Sequence, residues 1–134
     1  MTPLLFSVSY AGFWGQHRLD LPAFFRKAAA LGYPAVMVAG KRPHLSPLDY
    51  PNDASLEPIR KAAADAGVQV VTIAGYTDFA AGRHAAEVPF VEMQVAYVAA
   101  LARMGKALGA KIVRVFSGYS PDVERHQLDW DKCV

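Results

Sequence analysis

The fold is decided by a short stretch that recurs along the chain, first as Leu31-Gly32-Tyr33-Pro34-Ala35-Val36-Met37-Val38. The same pattern of Leu or Ala, then Gly, then a β-branched run returns as Ala66-Gly67-Val68-Gln69-Val70-Val71-Thr72-Ile73 and as Leu108-Gly109-Ala110-Lys111-Ile112-Val113-Arg114-Val115-Phe116. Glycine is favoured where a helix ends, because it adopts the left-handed conformation without a steric penalty. Each copy therefore predicts the end of a helix followed by a β-strand.

The segments that precede the three glycines carry apolar residues at helical spacing. An N-cap at Asp20 predicts the first helix, Asp53 or Ser55 the start of the second, and Pro89 the start of the third. Residues 4–9 supply a first strand. The order β-α-β-α-β-α-β favours a parallel sheet with right-handed crossovers.

The predicted loops differ in length at the two ends of this sheet. Helix-to-strand connections are short, whereas the strand-to-helix loops are long and cover residues 10–19, 40–54, 75–88 and 117–128. All of these long loops lie at the carboxyl ends of the strands. Because barrels and open α/β sheets bind ligands at that end, we expect the functional site there.

The last residues predict the start of a fourth helix, with Asp129 as its N-cap. A single turn of helix has little stability by itself. A complete (β/α)8 barrel has about 250 residues, and this sequence has 134. We therefore expect an α/β half barrel of about four parallel strands and three to four helices. Residues 1–134 would form one domain that corresponds to the first half of a TIM barrel and is incomplete at the C-terminus.

Composition excludes several classes of protein. The chain is 53% hydrophobic and 19% charged, with a formal net charge of +2, so no basic surface predicts nucleic-acid binding. No apolar run approaches the ~20 residues of a membrane span, and the N-terminal residues do not resemble a signal peptide. The only cysteine, Cys133, cannot form an intrachain disulfide or a multi-cysteine metal cluster. We expect a cytoplasmic protein.

Three segments resemble the xylose isomerase-like TIM-barrel superfamily, and more narrowly the sugar phosphate isomerases and epimerases. They are Gly75-Tyr76-Thr77-Asp78-Phe79, Glu87-Val88-Pro89-Phe90-Val91-Glu92-Met93-Gln94 and Val113-Arg114-Val115-Phe116-Ser117-Gly118-Tyr119. The resemblance implies a (β/α)8 barrel of carbohydrate metabolism that binds a divalent metal, often Mn²⁺, Mg²⁺ or Zn²⁺, at its carboxyl face. The metal would polarise a sugar carbonyl and hydroxyl while carboxylates move a proton through an enediol.

The resemblance does not assign a metal site to this chain. In that superfamily most metal ligands come from later strands, so the chain alone is expected to bind no metal and to be inactive. The related apurinic endonucleases place histidines on earlier strands. Here the third strand ends in Ala74-Gly75-Tyr76 and the fourth in Phe116-Ser117-Gly118, which argues against DNA repair.

Four residues are predicted to contact a small sugar or sugar phosphate. Arg114 could bind a hydroxyl, carboxylate or phosphate with its planar guanidinium, or could instead pair with a carboxylate inside the barrel. Tyr76 and Asp78 follow the third strand, where Asp78 could equally satisfy its own turn. His44 ranks first among the loop histidines, ahead of His17, His84 and His126. The predicted aromatic wall beside the sugar consists of Tyr10, Phe13, Trp14 and Tyr119.

Two functions from different classes remain open. In the first, the chain is the amino-terminal half of a divalent-metal-dependent sugar isomerase or epimerase and contributes the substrate-facing rim. In the second, it is a stand-alone half barrel that dimerises through its unpaired edge strands as a binding or assembly module without catalysis. An open flavodoxin-like sheet would need a fifth strand that the sequence does not show.

Overall fold

Four parallel strands alternate with three α-helices in the part of the chain that the computed structural model describes, namely residues 2–80, 85, 87–118, 127 and 131. The elements are β1 (Leu4–Phe6), α1 (Leu21–Ala30), β2 (Ala35–Ala39), α2 (Asp53–Asp65), β3 (Gln69–Ala74), α3 (Phe90–Leu108) and β4 (Ile112–Arg114). The strands form one open sheet in the order β1-β2-β3-β4. This arrangement confirms the predicted half barrel.

The starts of the three helices agree with the sequence pattern. Asp20 caps α1 by accepting a hydrogen bond from the backbone N–H of Ala23 at 2.8 Å, and α3 begins directly after Pro89. The second helix, α2, begins at Asp53, one of the two predicted starts. Asn52 caps this helix. Its backbone is extended, its side chain accepts a hydrogen bond from the Ser55 N–H, and the Ser55 hydroxyl in turn accepts one from the Asn52 N–H.

The first strand is shorter than predicted. It ends at Phe6, and residues Ser7–Tyr10 form a 3-10 turn in place of the expected continuation to Ser9. The Ser7 side chain is fully buried and its hydroxyl accepts a hydrogen bond from the N–H of Ala39 at 2.9 Å. Ser7 thus joins β1 to β2 through its side chain where the backbone ladder has ended.

The three repeated glycines have the predicted conformation. Gly32, Gly67 and Gly109 have φ angles of +79°, +69° and +77° respectively, in the left-handed region that ends a helix. The start of the predicted fourth helix, at Asp129, lies outside the described residues.

The core lies where the three helices pack against the sheet. Its buried members are Leu21, Phe24, Phe25, Ala28, Val36, Val38, Leu45, Leu56, Ile59, Ala63, Val68, Val70, Ile73, Leu101 and Met104. Leu101 of α3 approaches the carboxyl ends of β2 and β3. A Cβ atom at Gly40 would lie 2.8 Å from Leu101 Cδ2, and one at Gly75 would lie 3.0 Å from the Arg114 carbonyl oxygen. These two glycines therefore allow α3 and β4 to pack close to the edge where a site is expected.

Candidate functional site

The carboxyl ends of the strands are joined by backbone hydrogen bonds that continue past the strands themselves. The N–H of Gly40 donates to the Ala74 carbonyl at 2.8 Å, and the N–H of Gly75 donates to the Arg114 carbonyl at 2.6 Å. The residue after each glycine, Lys41 or Tyr76, is thereby held at the rim of the sheet.

Tyr97 of α3 links two of these strand ends. Its hydroxyl donates to the Gly40 carbonyl at 2.8 Å and accepts from the Tyr76 N–H at 3.3 Å. Burial raises the pKa of Tyr97, opposed by the hydrogen bond from Tyr76 and by the positive charge of Arg114. The phenol therefore stays protonated near neutral pH and positions Tyr76.

Thr77 holds the chain that follows β4. Its side chain is fully buried, and its hydroxyl donates to the carbonyl of Phe116 and accepts from the Phe116 N–H at 2.9 Å. This reciprocal pair continues the pairing of β3 and β4 by a side chain. It fixes Phe116 next to Tyr76, and their ring centroids are 6.3 Å apart in an edge-to-face arrangement.

Two cationic side chains lie against the aromatic rings at this rim. The ammonium of Lys41 is 4.1 Å from the ring centroid of Tyr76 and 4.4 Å from that of Phe13. The guanidinium carbon of Arg114 is 4.1 Å from the Phe116 centroid, 5.4 Å from that of Tyr76 and 5.8 Å from that of Phe6. We call this group the cation–aromatic cluster; its members are Phe6, Phe13, Lys41, Tyr76, Arg114 and Phe116.

The cluster carries positive charge that the described residues do not neutralise. The ion pairs within the described part of the chain involve other cations, namely Arg42, Arg60, Lys61 and Arg103. The Nη1 atom of Arg114 is buried and has no hydrogen-bond partner among the described residues. A buried charged donor without an acceptor is costly, so the site favours an acceptor of negative charge.

Of the four predicted site residues, the structure brings together Arg114 and Tyr76. Asp78 lies further along the same loop, where its carboxylate accepts from the Ala80 N–H at 3.1 Å and its own N–H donates to the Gln94 side chain at 3.3 Å. That contact with Ala80 is the local turn considered as the alternative role for Asp78.

The structure places His44 in the interior instead of at the rim. Its side chain is 2% exposed and stacks on Phe24, with the ring centroids 6.3 Å apart. Its Nε2 lies 3.2 Å from the Leu19 carbonyl oxygen. Burial lowers the pKa of His44, the Leu19 hydrogen bond raises it, and the charge of Arg18 lowers it. The neutral ring, donating from Nε2, joins the β2–α2 loop to the segment before α1.

The other predicted residues have mixed positions. His17 is exposed in the β1–α1 loop, whereas His84, His126 and Tyr119 lie outside the described residues. From the predicted aromatic wall, Phe13 contacts Lys41. Tyr10 packs on Phe24 of the core, and Trp14 is 77% exposed beside Phe13.

Sequence reasoning missed Lys41, Thr77, Tyr97 and Phe116. The signal for Lys41 was present, since it follows Gly40 as Tyr76 follows Gly75. The roles of Thr77 and Tyr97 depend on contacts between residues distant in sequence, and no local pattern indicates them.

A groove of about 490 Å³ opens beside the cluster. Lys41 and Tyr76 line one side, the β2–α2 loop contributes residues 46–48, and α3 contributes Gln94 and Tyr97 among others. A cavity of this size accommodates a small organic molecule.

The metal that the resemblance implies does not fit the residues described. Among them, no group of three or more His, Cys, Asp or Glu side chains could hold a metal ion. We therefore derive no chemical step through a metal. Within the same residues, no helix is long and apolar enough to cross a membrane.

A family model described as xylose isomerase-like TIM barrel matches residues 25–134. The chain belongs to this family. The match includes β2, β3 and β4 and therefore most of the cation–aromatic cluster. No curated protein matches the chain at a significant level.

Several solved structures of low sequence identity share the fold. D-psicose 3-epimerase from Clostridium cellulolyticum H10, solved with D-tagatose, gives a TM-score of 0.70 at 16% identity, with 99% of this chain and 45% of the epimerase covered. The probable 3-DHS dehydratase AsbF from Bacillus anthracis gives 0.69 at 14% identity, with 99% and 44% covered. A xylose isomerase domain protein from Planctomyces limnophilus gives 0.60 at 18% identity, with 98% and 45% covered. The chain thus spans less than half the length of each relative.

Proposed function

We propose that this chain supplies the substrate-facing rim of a divalent-metal-dependent sugar or sugar phosphate isomerase or epimerase. The observation that carries the proposal is the position of Arg114 and Tyr76 at the carboxyl edge of a xylose isomerase-like half barrel. The neighbouring structures include an epimerase and a dehydratase, so sugar-like polyols are the substrate class that the family supports.

The residues of this chain would bind and orient the substrate. Arg114 offers a planar set of donors to substrate oxygens, and the Tyr76 and Phe116 rings offer apolar surface against the face of a sugar. Tyr97 and Thr77 act as positioning residues, because they hold the backbone of Tyr76 and Phe116. A metal of the kind that the family resemblance implies would need ligands outside the described residues. Asp78 and His44 remain predicted substrate contacts.

Saturation-transfer NMR on the chain with a panel of ketoses and aldoses tests this proposal. We expect magnetisation transfer to the sugar, and no sugar interconversion with or without Mn²⁺. Arg114→Ala and the better-packed Arg114→Met should both abolish the transfer. Arg103→Ala is the matched control, because Arg103 lies on α3 and contacts Asp53 and the Tyr50 carbonyl.

Two results would contradict the proposal. Equal transfer to the wild type and both Arg114 variants would remove Arg114 from the rim. Metal-stimulated interconversion by the 134-residue chain would show that it is active without further strands.

A specific observation favours the alternative, a half barrel that associates with a second copy. Within the described sheet, β1 and β4 are edge strands. Apolar side chains are also exposed on α3 and around β4, namely Val91, Met93, Val95, Ile112 and Val115. Such surfaces promote association. Light scattering that gives twice 14.5 kDa, reduced to the monomer by Val95→Glu or Ile112→Lys, would support this function. A monomer at all concentrations would contradict it.

A further inference from the structure

We propose that Lys41 and Arg114 together bind an anionic group of the substrate, so that the substrate is a sugar phosphate or a sugar acid instead of a neutral sugar. This inference rests on the proposed function and names the substrate class for the same site. Lys41 becomes a specificity-determining residue.

The positions of the two cations favour a shared ligand. Both approach one ring, since the Lys41 ammonium and the Arg114 guanidinium carbon are 4.1 Å and 5.4 Å from the Tyr76 centroid. They come from different strand ends, β2 and β4, and β3 lies between them. A group bound next to Tyr76 would therefore lie near both cations.

The charges of the two side chains favour an anion. Two like charges near one ring repel each other, and contact with an aromatic face attracts a cation without neutralising it. No carboxylate of the described residues forms an ion pair with either side chain, and Nη1 of Arg114 is buried without an acceptor. An anion would relieve the repulsion and supply the missing acceptor.

The hydrogen-bonding chemistry of the two side chains also suits an anion. Arginine binds carboxylate and phosphate oxygens with two parallel N–H donors. Lysine is a point charge on a flexible stem, so it can leave the aromatic faces and follow an oxygen of the ligand. The pair suits a phosphate monoester or a carboxylate, and the adjoining groove, of about 490 Å³, has room for the attached carbon chain.

Isothermal titration with matched ligands at constant ionic strength tests the inference. Fructose 6-phosphate is compared with fructose, and glucuronate with glucose, so that the two arms separate phosphate from carboxylate. We expect at least one anionic ligand to bind about ten-fold or more tightly than its neutral partner, the factor that one charged hydrogen bond supplies.

Matched variants identify the residues. Lys41→Gln should remove that ten-fold preference, Lys41→Arg should keep most of it, and Lys61→Gln should leave it unchanged. The Lys61→Gln substitution removes the same charge from an exposed site, where Lys61 pairs with Asp65. An equal loss in Lys61→Gln would overturn the inference, because the preference would then be a general effect of net charge.

The outcomes also separate this inference from the proposed function. If fructose binds as tightly as fructose 6-phosphate and glucose as tightly as glucuronate, the anion site is wrong and the sugar-binding rim stands. If no ligand of either charge binds, both are overturned.

Discussion

Replacing Thr77 by valine removes the hydroxyl that connects β3 to the chain after β4 while keeping the shape of the side chain. Thr77 is fully buried, and its hydroxyl makes two hydrogen bonds with the backbone of Phe116. Each lost hydrogen bond costs about 1 kcal/mol when water can still reach part of the freed group. Phe116 is half-buried, so we expect Thr77→Val to lower the free energy of unfolding by about 2 kcal/mol.

Urea denaturation followed by circular dichroism measures this loss. With a denaturant slope of about 2 kcal/mol/M, the midpoint should fall by about 1 M. Thr77→Ser is the control, because it keeps the hydroxyl and loses a buried methyl group worth about 1 kcal/mol. Sugar binding should also weaken in Thr77→Val and persist in Thr77→Ser, since Phe116 supports the Arg114 guanidinium. Equal midpoints for the valine and serine variants would refute the reasoning.

Three further predictions concern the packing and the buried groups. Gly40→Ala should lower the free energy of unfolding by about 1–3 kcal/mol, because the added Cβ would lie 2.8 Å from Leu101. Thermal melting measures this loss. If adding Leu101→Val to Gly40→Ala restores none of the lost stability, the contact with Leu101 is not its cause. Burial lowers the pKa of His44, so as the pH falls His44 is protonated in the unfolded state before it is protonated in the folded state. The contribution of neutral His44 to the free energy of unfolding should therefore be complete above about pH 6.5. It should decrease at lower pH by up to about 1.4 kcal/mol per pH unit. Urea midpoints at pH 7 and 5.5 test this, and His44→Gln should flatten the difference. Tyr97→Phe should lower the free energy of unfolding measured in urea by about 1 kcal/mol and should weaken sugar binding, because the Gly40 carbonyl loses the hydroxyl that donates to it at 2.8 Å. If the stability and the sugar affinity are both unchanged, Tyr97 is not a positioning residue.

The fold could be predicted from sequence where the cause is local. The glycines at positions 32, 67 and 109 require a left-handed backbone, and Asp20 caps the helix that directly follows it. These features depend on neighbours in sequence. The order of the strands then followed from the connection rules for parallel sheets.

The predicted extent of β1 is wrong because distant residues compete with local preference. The segment after Phe6 resembles a strand, but the Ser7 hydroxyl reaches the Ala39 backbone and a 3-10 turn forms. The burial of His44, which lies in a predicted loop, depends in the same way on its stacking against Phe24. Both contacts exist only after the sheet and α1 have packed.

The candidate site was predicted in part for the same reason. Arg114 was identified because a charge among apolar strand residues needs a partner. Its position against Tyr76 and Phe116, and the approach of Lys41 from β2, depend on the register of three strands. The single sequence does not specify that register.

The most direct test of a sugar-binding site at the carboxyl ends of the strands is to map the bound sugar on the ¹⁵N-labelled chain by NMR, with fructose 6-phosphate as the titrant. We expect shifts in the amide signals of Lys41, Tyr76 and Phe116 at the carboxyl edge, with the signals of Gly67 and Gly109 at the opposite edge unchanged. Shifts confined to Gly67 and Gly109, or no shift at any of these residues, would contradict a sugar-binding site at the carboxyl ends of the strands.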